Sequence, residues 1–466
     1  MNKRLCAGAG LIAAVLAFGD VRLPSYTRTV LPNGVVLDVM PRTDVPLVTI
    51  RVVVKGGIES EPAELSGLAS ITAEALRRGT AKRTAEQFSE QLDALGATWF
   101  SGVDNQSTSI ASEFLAKDFD AGLDLIFDAV THPSFPEAEI KKLLSQRIDA
   151  AKSVKDNPGQ AVGEYYRSFF YGPSHPYGRP ADELSYARIK RNDVVEYHKR
   201  MFTGGNMILI VAGDIKAPEI VKKLTDTFGT ISEGKEYTWL KVEKPAASKP
   251  RVAIIDKPDS TETRFIIGQP GIERTNPDRI PLWIVNTLFG GRFTSILNDE
   301  LRVNTGLTYG AFSRFDQSHL PGSLYISTFT KTETTAKAID VALDLLKRLQ
   351  EKGITAEQLA SAKNYLKGTY PSQRLETSDQ LASVLTEIEL FDLNRGEVDD
   401  LFSRIDAVTL EKANQVARRY YNTEKLTFVL LGNAAKIAAE VKKYAPDVVQ
   451  VPIMKPGLSV APPQPQ

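Results

Sequence analysis

The sequence predicts an α+β protein of two homologous domains, each a mainly antiparallel sheet with helices packed on one face. Three observations carry that expectation. The segment Ile189 to Asp214, "IKRNDVVEYHKRMFTGGNMILIVAGD", is echoed by Val408 to Asn433, "VTLEKANQVARRYYNTEKLTFVLLGN". Val408 follows Ile189 by 219 residues and Gly432 follows Gly213 by the same interval. A gap-free offset across a helical pattern, a polar turn, an apolar strand run and a glycine points to duplication. The repeated unit is about half the chain, which is a domain's length rather than a solenoid repeat's. Within each unit β-branched runs come first, helical patterns follow and a strand returns, the order of an α+β domain rather than of alternating βαβ units.

In chain order, Lys3 and Arg4 precede an uncharged, mainly apolar run from Leu5 to Phe18. That run falls short of the roughly 20 residues that span a membrane and suits a secretory signal over residues 1–19, with Ala17 and Gly19 at cleavage spacing and Asp20 as the new N-terminus. The alternatives are an uncleaved anchor or a misplaced start. Export to the periplasm is the expected localisation. Cys6 lies inside this segment, so the processed chain has no thiol for a disulfide, a nucleophile or a metal. The first domain is expected over 20–241. It opens with the strands "VVLDVMPR" and "VPLVTIRVVVKGG" and continues with helical patterns including Ala85 to Leu95 and Glu137 to Val154. "VEKPAASKPR", residues 242–251, reads as the linker. The second domain is expected over 252–447, with helices including Thr335 to Glu351 and Ala356 to Lys367, and residues 448–466 read as a proline-rich disordered tail.

Lysine plus arginine balance aspartate plus glutamate at 57 each, so no net field favours nucleic acid. P-loop, dinucleotide and nucleophile-elbow motifs are absent. The four histidines, His132, His175, His198 and His319, include no i, i+4 pair able to place two imidazoles on one helix face, and they read as surface, turn or capping residues. The helix in "SGLASITAEALRRGT", Ser66 to Thr80, buries Leu68, Ile71, Ala75 and Leu76 and is closed by a glycine, while Ser70, Ala73 and Glu74 on its other face offer no evident chemistry. The densest stretch is Asn286 to Phe315. There Gly290 and Gly291 allow a close backbone approach, and Arg302 at a helix end is followed seven residues on by Tyr309, past Gly306. An arginine and a tyrosine so placed are able to hydrogen-bond one substrate carbonyl or oxyanion. By themselves they read more readily as a surface arginine and a strand tyrosine in the core.

Taken together, "LPNGVVLDVMPR", "VKGGIESEP", "SGLA…RRGT", "LDALGATWFSGVDNQSTSI", "HPSFPEAEI", "DNPGQAV", "HPYGRP" and "LRVNTGLTY" make the chain resemble the pitrilysin and insulinase type of zinc metallopeptidase, the inverzincins, in its short two-domain form. Mitochondrial processing peptidase subunits and bacterial two-subunit peptidases belong to that group. The resemblance spans about Tyr26 to Lys443. In catalytic members the helix after "GLA" carries H-x-x-E-H, two zinc ligands and a general base, and a later helix gives a third ligand, a glutamate. Here the pentapeptide is Ser70-Ile71-Thr72-Ala73-Glu74, and Ala150 and Ala151 stand about where the third ligand belongs.

The resemblance therefore implies that this chain binds no metal or other cofactor. Its partner is expected to be a homologous catalytic subunit with H-x-x-E-H that holds the zinc. Arg302 and Tyr309, with Gly290 and Gly291, match the family's substrate-binding segment and are expected to complete the partner's site, acting on peptide substrates in a closed chamber. Thr98 to Ile110 matches the edge strand on which the family lays peptides. A catalytically uninvolved scaffold or peptide-binding protein of the same fold is the alternative, with a peptidase acting alone as a third reading and a homodimer of the isolated chain also open.

Overall fold

The computed structural model describes residues 21–242 and 249–460. The expected signal segment with Cys6, the 243–248 part of the linker and residues 461–466 lie outside the described residues. The duplication takes the form of two six-stranded sheets. The first comprises β1 (Thr27–Val30), β2 (Val36–Pro41), β3 (Leu47–Lys55), β4 (Phe100–Val103), β5 (Ser107–Leu115) and β6 (Met207–Gly213) in the order β1-β2-β6-β3-β5-β4. The second comprises β7 (Arg251–Asp256), β8 (Glu262–Pro270), β9 (Ala311–Gln317), β10 (Pro321–Lys331), β11 (Thr427–Gly432) and β12 (Asp447–Pro452) in the order β12-β7-β11-β8-β10-β9. Pairing is antiparallel except where β2 meets β6 and where β7 meets β11 and β12. The long central strands set the register. β3 pairs with β5 from Leu47 opposite Leu115 to Lys55 opposite Ser107, and β8 pairs with β10 from Glu262 opposite Lys331 to Pro270 opposite Ser323.

The outermost strand next to β2 comes from the chain's beginning, whereas the one next to β7 comes from its end. This corrects the reading of 448–466 as a disordered tail. Val448, Val449 and Val451 lie in β12, and Ile453, Leu458 and Val460 are buried. Their backbone is held too: Leu458 N–H donates to Asp182 (3.0 Å) and Val460 N–H to Ser168 Oγ (3.0 Å). The prolines dominate the composition of this end, but the alternating β-branched residues just before them decide its structure.

Each sheet packs its own half's helices on one face. Leu68, Ile71, Ile126, Val194 and Tyr197 join Val48, Val52 and Leu209 in the first core, and Ile280, Leu346 and Val416 join Ile254 and Phe265 in the second. The opposite face of each sheet is covered by a helix from the other half. The helix Pro158–Tyr171 lays Ala161, Tyr165 and Phe169 on Ala253, Ile255, Val429 and Leu431 of the second sheet. The helix Ser378–Leu390 lays Leu381, Leu385 and Ile388 on Met40, Val53, Ile208 and Ile210 of the first. Both start decisively. Asn157 caps the first ahead of Pro158 at its first position, and Thr377 with Gln380 forms a capping box on the second. Each buried leucine or isoleucine adds about 1.5–3 kcal/mol, so this exchange is a major stabilising contact of the chain.

One group in that seam opposes it. Asp38, on the β2 face toward the exchanged helix, is fully buried and neither carboxyl oxygen has a hydrogen-bond partner among the described residues. Desolvation, reinforced by Glu389 against a smaller opposing effect of Arg28, raises its pKa to about 7. At the same topological place in the second sheet stands Ala253, so the fold does not require the carboxyl. Below the unfolded-state pKa both states hold the proton. Above it the unfolded chain releases the proton first, so stability falls as pH rises toward 7 and is flat beyond. Asp38→Ala is expected to be more stable than the parent at pH 7.5 and to show less of the decline between about pH 4 and 7, measured by urea unfolding across pH. An unchanged pH profile would place the proton elsewhere.

Candidate functional site

The helix Leu68–Ala75 starts on Gly67, whose φ of 96° is the left-handed conformation that suits glycine. Its N-terminus is capped from a distance: the buried Glu61 carboxylate accepts from Gly67 N–H (3.0 Å) and Ala69 N–H (2.8 Å). Burial raises Glu61 to about 7, with those two backbone bonds the largest effect holding it down. The helix ends at Ala75, four residues before the expected closing glycine, Gly79. Nor is Ala73 on an open face, since it is buried beside Ile71, Thr72 and Ala75. Ser70 and Glu74 stay partly exposed.

Glu74 is committed. Its carboxylate takes Nε (3.1 Å) and Nη2 of Arg147, on the helix Glu137–Ser153. Ala150 follows Arg147 by three residues and is exposed, while Ala151 is buried. Ser70 has a hydroxyl, Ala73 and Ala150 have no donor atom, and Glu74 is held by a guanidinium. A tetrahedral zinc needs three protein ligands, and these residues do not fit one. Among the described residues no group of three or more His, Cys, Asp or Glu is placed to hold a metal.

The histidines take structural positions. His175 caps the turn Pro176–Gly178 by accepting from Tyr177 N–H (3.1 Å), and His132 meets Thr131 Oγ1 (2.8 Å) at a helix end. His198 and His319 are more buried than a surface reading allows. His198 stacks on Phe202 and meets Val130 O, and His319 lies between Trp239 (3.7 Å) and Phe391 (4.6 Å) and meets Leu390 O.

In the second half, the helix Arg279–Asn286 widens into a turn over Thr287–Gly291. A Cβ on Gly290 would come within 2.4 Å of Ser313 N in β9. Gly290 is buried, so its close approach is to its own sheet rather than to a substrate, and only Gly291 is exposed. Ser295 caps the short helix Ile296–Asn298, which runs into the wide turn Asp299–Asn304 carrying Arg302. The Arg302 guanidinium lies over the Phe293 ring at 4.8 Å and has no hydrogen bond or acidic partner among the described residues. Tyr309 is 81% exposed, its ring stacked near Phe329 (6.3 Å) and its hydroxyl without a partner among the described residues. The backbone beneath it is fixed: Thr328 Oγ1 donates to Gly310 O (2.8 Å) and Thr330 Oγ1 to Leu307 O (2.7 Å). Neither Arg302 nor Tyr309 bonds to the other, or to Ser70, Ala73 or Glu74.

Thr98 to Ile110 is a hairpin rather than one edge strand. β4 and β5 are joined by a turn in which Asp104 accepts from Gln106 N–H (2.8 Å) and Ser107 N–H (2.7 Å). Only β4 is an edge, beside the helix Leu68–Ala75. The bonds Thr98 N–H to Glu113 O and Asp104 N–H to Ser107 O fix the pairing so that the backbone groups of Ser101 and Val103 face away from β5.

Glu61 and Arg147 escaped the sequence reading. Glu61 acts on backbone six and eight residues further on and Arg147 on a side chain 73 residues earlier, and neither carries a local signature.

Because the Glu74–Arg147 pair is partly exposed, Arg147→Ala is expected to cost no more than about 1 kcal/mol. The purified chain, parent or variant, is expected to contain no stoichiometric zinc by elemental analysis, and a chelator is expected to leave its melting temperature unchanged. One zinc per chain would overturn this account of the helix.

Residues 39–172 match the family model described as insulinase (peptidase family M16), and residues 188–366 match the one described as peptidase M16 inactive domain. A Bacillus subtilis protein described as an uncharacterized zinc protease is 24% identical, over 87% of this chain and 97% of its own. A Helicobacter pylori protein described as a non-peptidase homolog is also 24% identical, over 84% of this chain and 90% of its own. Among solved structures, a Pseudomonas fluorescens peptidase M16 inactive domain superposes with a TM-score of 0.82 at 22% identity, covering 92% of this chain and 99% of that one. With the two models falling on successive parts of the chain, the fold shared and the metal-binding side chains missing from the helix that should bear them, the chain belongs to the insulinase family of peptidases, M16, as a non-catalytic member.

Proposed function

We propose that this chain is the exported, non-catalytic subunit of a heterodimeric zinc metallopeptidase of the periplasm. A homologous subunit with H-x-x-E-H binds the zinc and activates the water, and this chain closes the other half of a peptide-degrading chamber. The observation that carries the proposal is the state of Arg302 and Tyr309. Among the described residues, a guanidinium resting on a ring and a phenol on a pinned backbone make no hydrogen bond through their side chains, and no group of His, Cys, Asp or Glu is placed to hold a metal. In the assembled enzyme, Arg302 and Tyr309 bind the substrate carbonyl and then the oxyanion of the tetrahedral intermediate, where charge develops. The outward backbone groups of Ser101 and Val103 favour, as a second reading, a peptide-binding scaffold with no part in catalysis.

The two readings separate on co-expression with a homologous chain bearing H-x-x-E-H. Arg302→Ala and Tyr309→Phe are each expected to lower turnover of a fluorogenic peptide by about tenfold to a thousandfold, with the heterodimer still assembling by size exclusion. Unchanged turnover in both variants would leave the scaffold reading standing.

A further inference from the structure

Between the two halves lies a cavity of about 540 Å³ that is separate from Arg302, Tyr309 and the edge of β4. The first half contributes Arg51 of β3 and Gln106 of the β4–β5 turn, and the second contributes Arg274, Arg279 and Arg374. Its charges do not balance. Glu387 takes Arg274 (3.3 Å) and Arg374, and Glu397 takes Arg274 (3.0 Å), Arg279 and Arg404 (3.1 Å). Asp104 also lines the cavity, its carboxylate accepting from Gln106 N–H, Ser107 N–H and Ser107 Oγ, and Arg51 is matched by Asp379, so the lining itself sets four guanidiniums against three carboxylates. Arg274 and Arg279 are only 7% exposed. Burying uncompensated positive charge is costly unless an anion answers it. The crowding leaves its mark on Arg279, whose guanidinium is depressed to about 10 by desolvation and then by Arg274.

Hydrogen-bonding capacity is left over as well. The bonds that Arg274, Arg279 and Arg374 make to carboxylates all leave through Nη2. Arg51 Nε and Gln106 Oε1 are buried without a partner, in a residue only 9% exposed for Gln106, and turning that amide over presents an N–H₂ donor instead.

We infer that this cavity binds a small oxyanion, the phosphate or carboxylate group of a ligand of small-molecule size, held by Arg274, Arg279 and Arg374 from one half and by Arg51 and Gln106 from the other. Planar guanidinium forks match such groups bidentately. Because both halves contribute, the anion bridges the seam and binding stabilises the whole chain.

The test uses the full chain in thermal unfolding and titration calorimetry with inorganic phosphate, citrate and a short acetylated peptide with a free or an amidated C-terminus, each against chloride at equal ionic strength. A saturable rise in melting temperature beyond that given by chloride is expected with at least one of them. Phosphate or citrate binding identifies a free anion, and peptide binding that is lost on amidation identifies a peptide carboxylate. Gln373→Glu places a carboxylate at the cavity from an exposed position without removing any arginine contact, and is expected to weaken binding at least tenfold with the ligand-free melting temperature little changed. Failure of every anion to exceed chloride, or undiminished binding by Gln373→Glu, would overturn the site. The result is independent of whether Arg302 and Tyr309 serve a peptidase.

Discussion

Each half of this chain finishes the other's core. A sheet with helices on one face still presents an apolar second face, and here that face is covered in each case by a helix made from the opposite half's sequence, Pro158–Tyr171 on the second sheet and Ser378–Leu390 on the first. Met40, Val53 and Ile210 on one sheet, and Ile255 and Leu431 on the other, share their clusters with the helix that comes from the opposite half. The two halves are therefore one cooperative body, and the seam between them is fixed in position. Much of what is unusual in the molecule lies along it: the buried Asp38, the arginine-lined cavity, and His319 stacked between Trp239 from the end of the first half and Phe391 just after the exchanged helix.

That frame explains how a helix keeps its place after losing its chemistry. Leu68–Ala75 is held by its apolar residues and by Glu61 at its N-terminus, none of which depends on a metal. Thr72 turns its hydroxyl back to Leu68 O (2.8 Å), so its polar atom is spent within the helix. The Glu74–Arg147 pair ties the helix to Glu137–Ser153, but a partly exposed ion pair contributes little. Packing does the holding, and the side chains at positions 70 and 74 are left without a structural obligation to be ligands.

The sequence carried the duplication further than it carried the contacts. The sequence reading did not single out Ser378–Leu390, and even where helical spacing marks a buried face it does not name the surface that face meets, so the exchange was not legible. The run from Thr98 to Ile110 read as one strand because its β-forming residues continue on both sides of Asp104, and the turn is made by that carboxylate bonding two backbone N–H groups rather than by a glycine. β12 was hidden by proline-rich neighbours and by a partner strand, β7, almost two hundred residues earlier in the chain. Arg302 was expected at a helix end and lies in the wide turn Asp299–Asn304, and the rings beside it and Tyr309, Phe293 and Phe329, were visible only in three dimensions.

Those supports bear on how the surface of the second half should be read. Several buried or half-buried arginines elsewhere in the chain are tied to carboxylates or carbonyls, as Arg83 is to Asp124 and Asp128 and as Arg251 is to Phe170 O (2.7 Å), while Arg264 lies over the Phe329 ring at 4.5 Å. Arg302 is tied to a ring instead, and a ring takes up the charge of a guanidinium without consuming its N–H donors. Tyr309 is placed on the same principle, with its backbone pinned by threonines and its hydroxyl left open. A residue kept for stability gains by making its hydrogen bonds within the fold; one kept for recognition must hold its position while leaving those bonds unmade. Both side chains meet the second description, and the proposed role of this chain rests on them rather than on Ser70, Ala73 and Glu74.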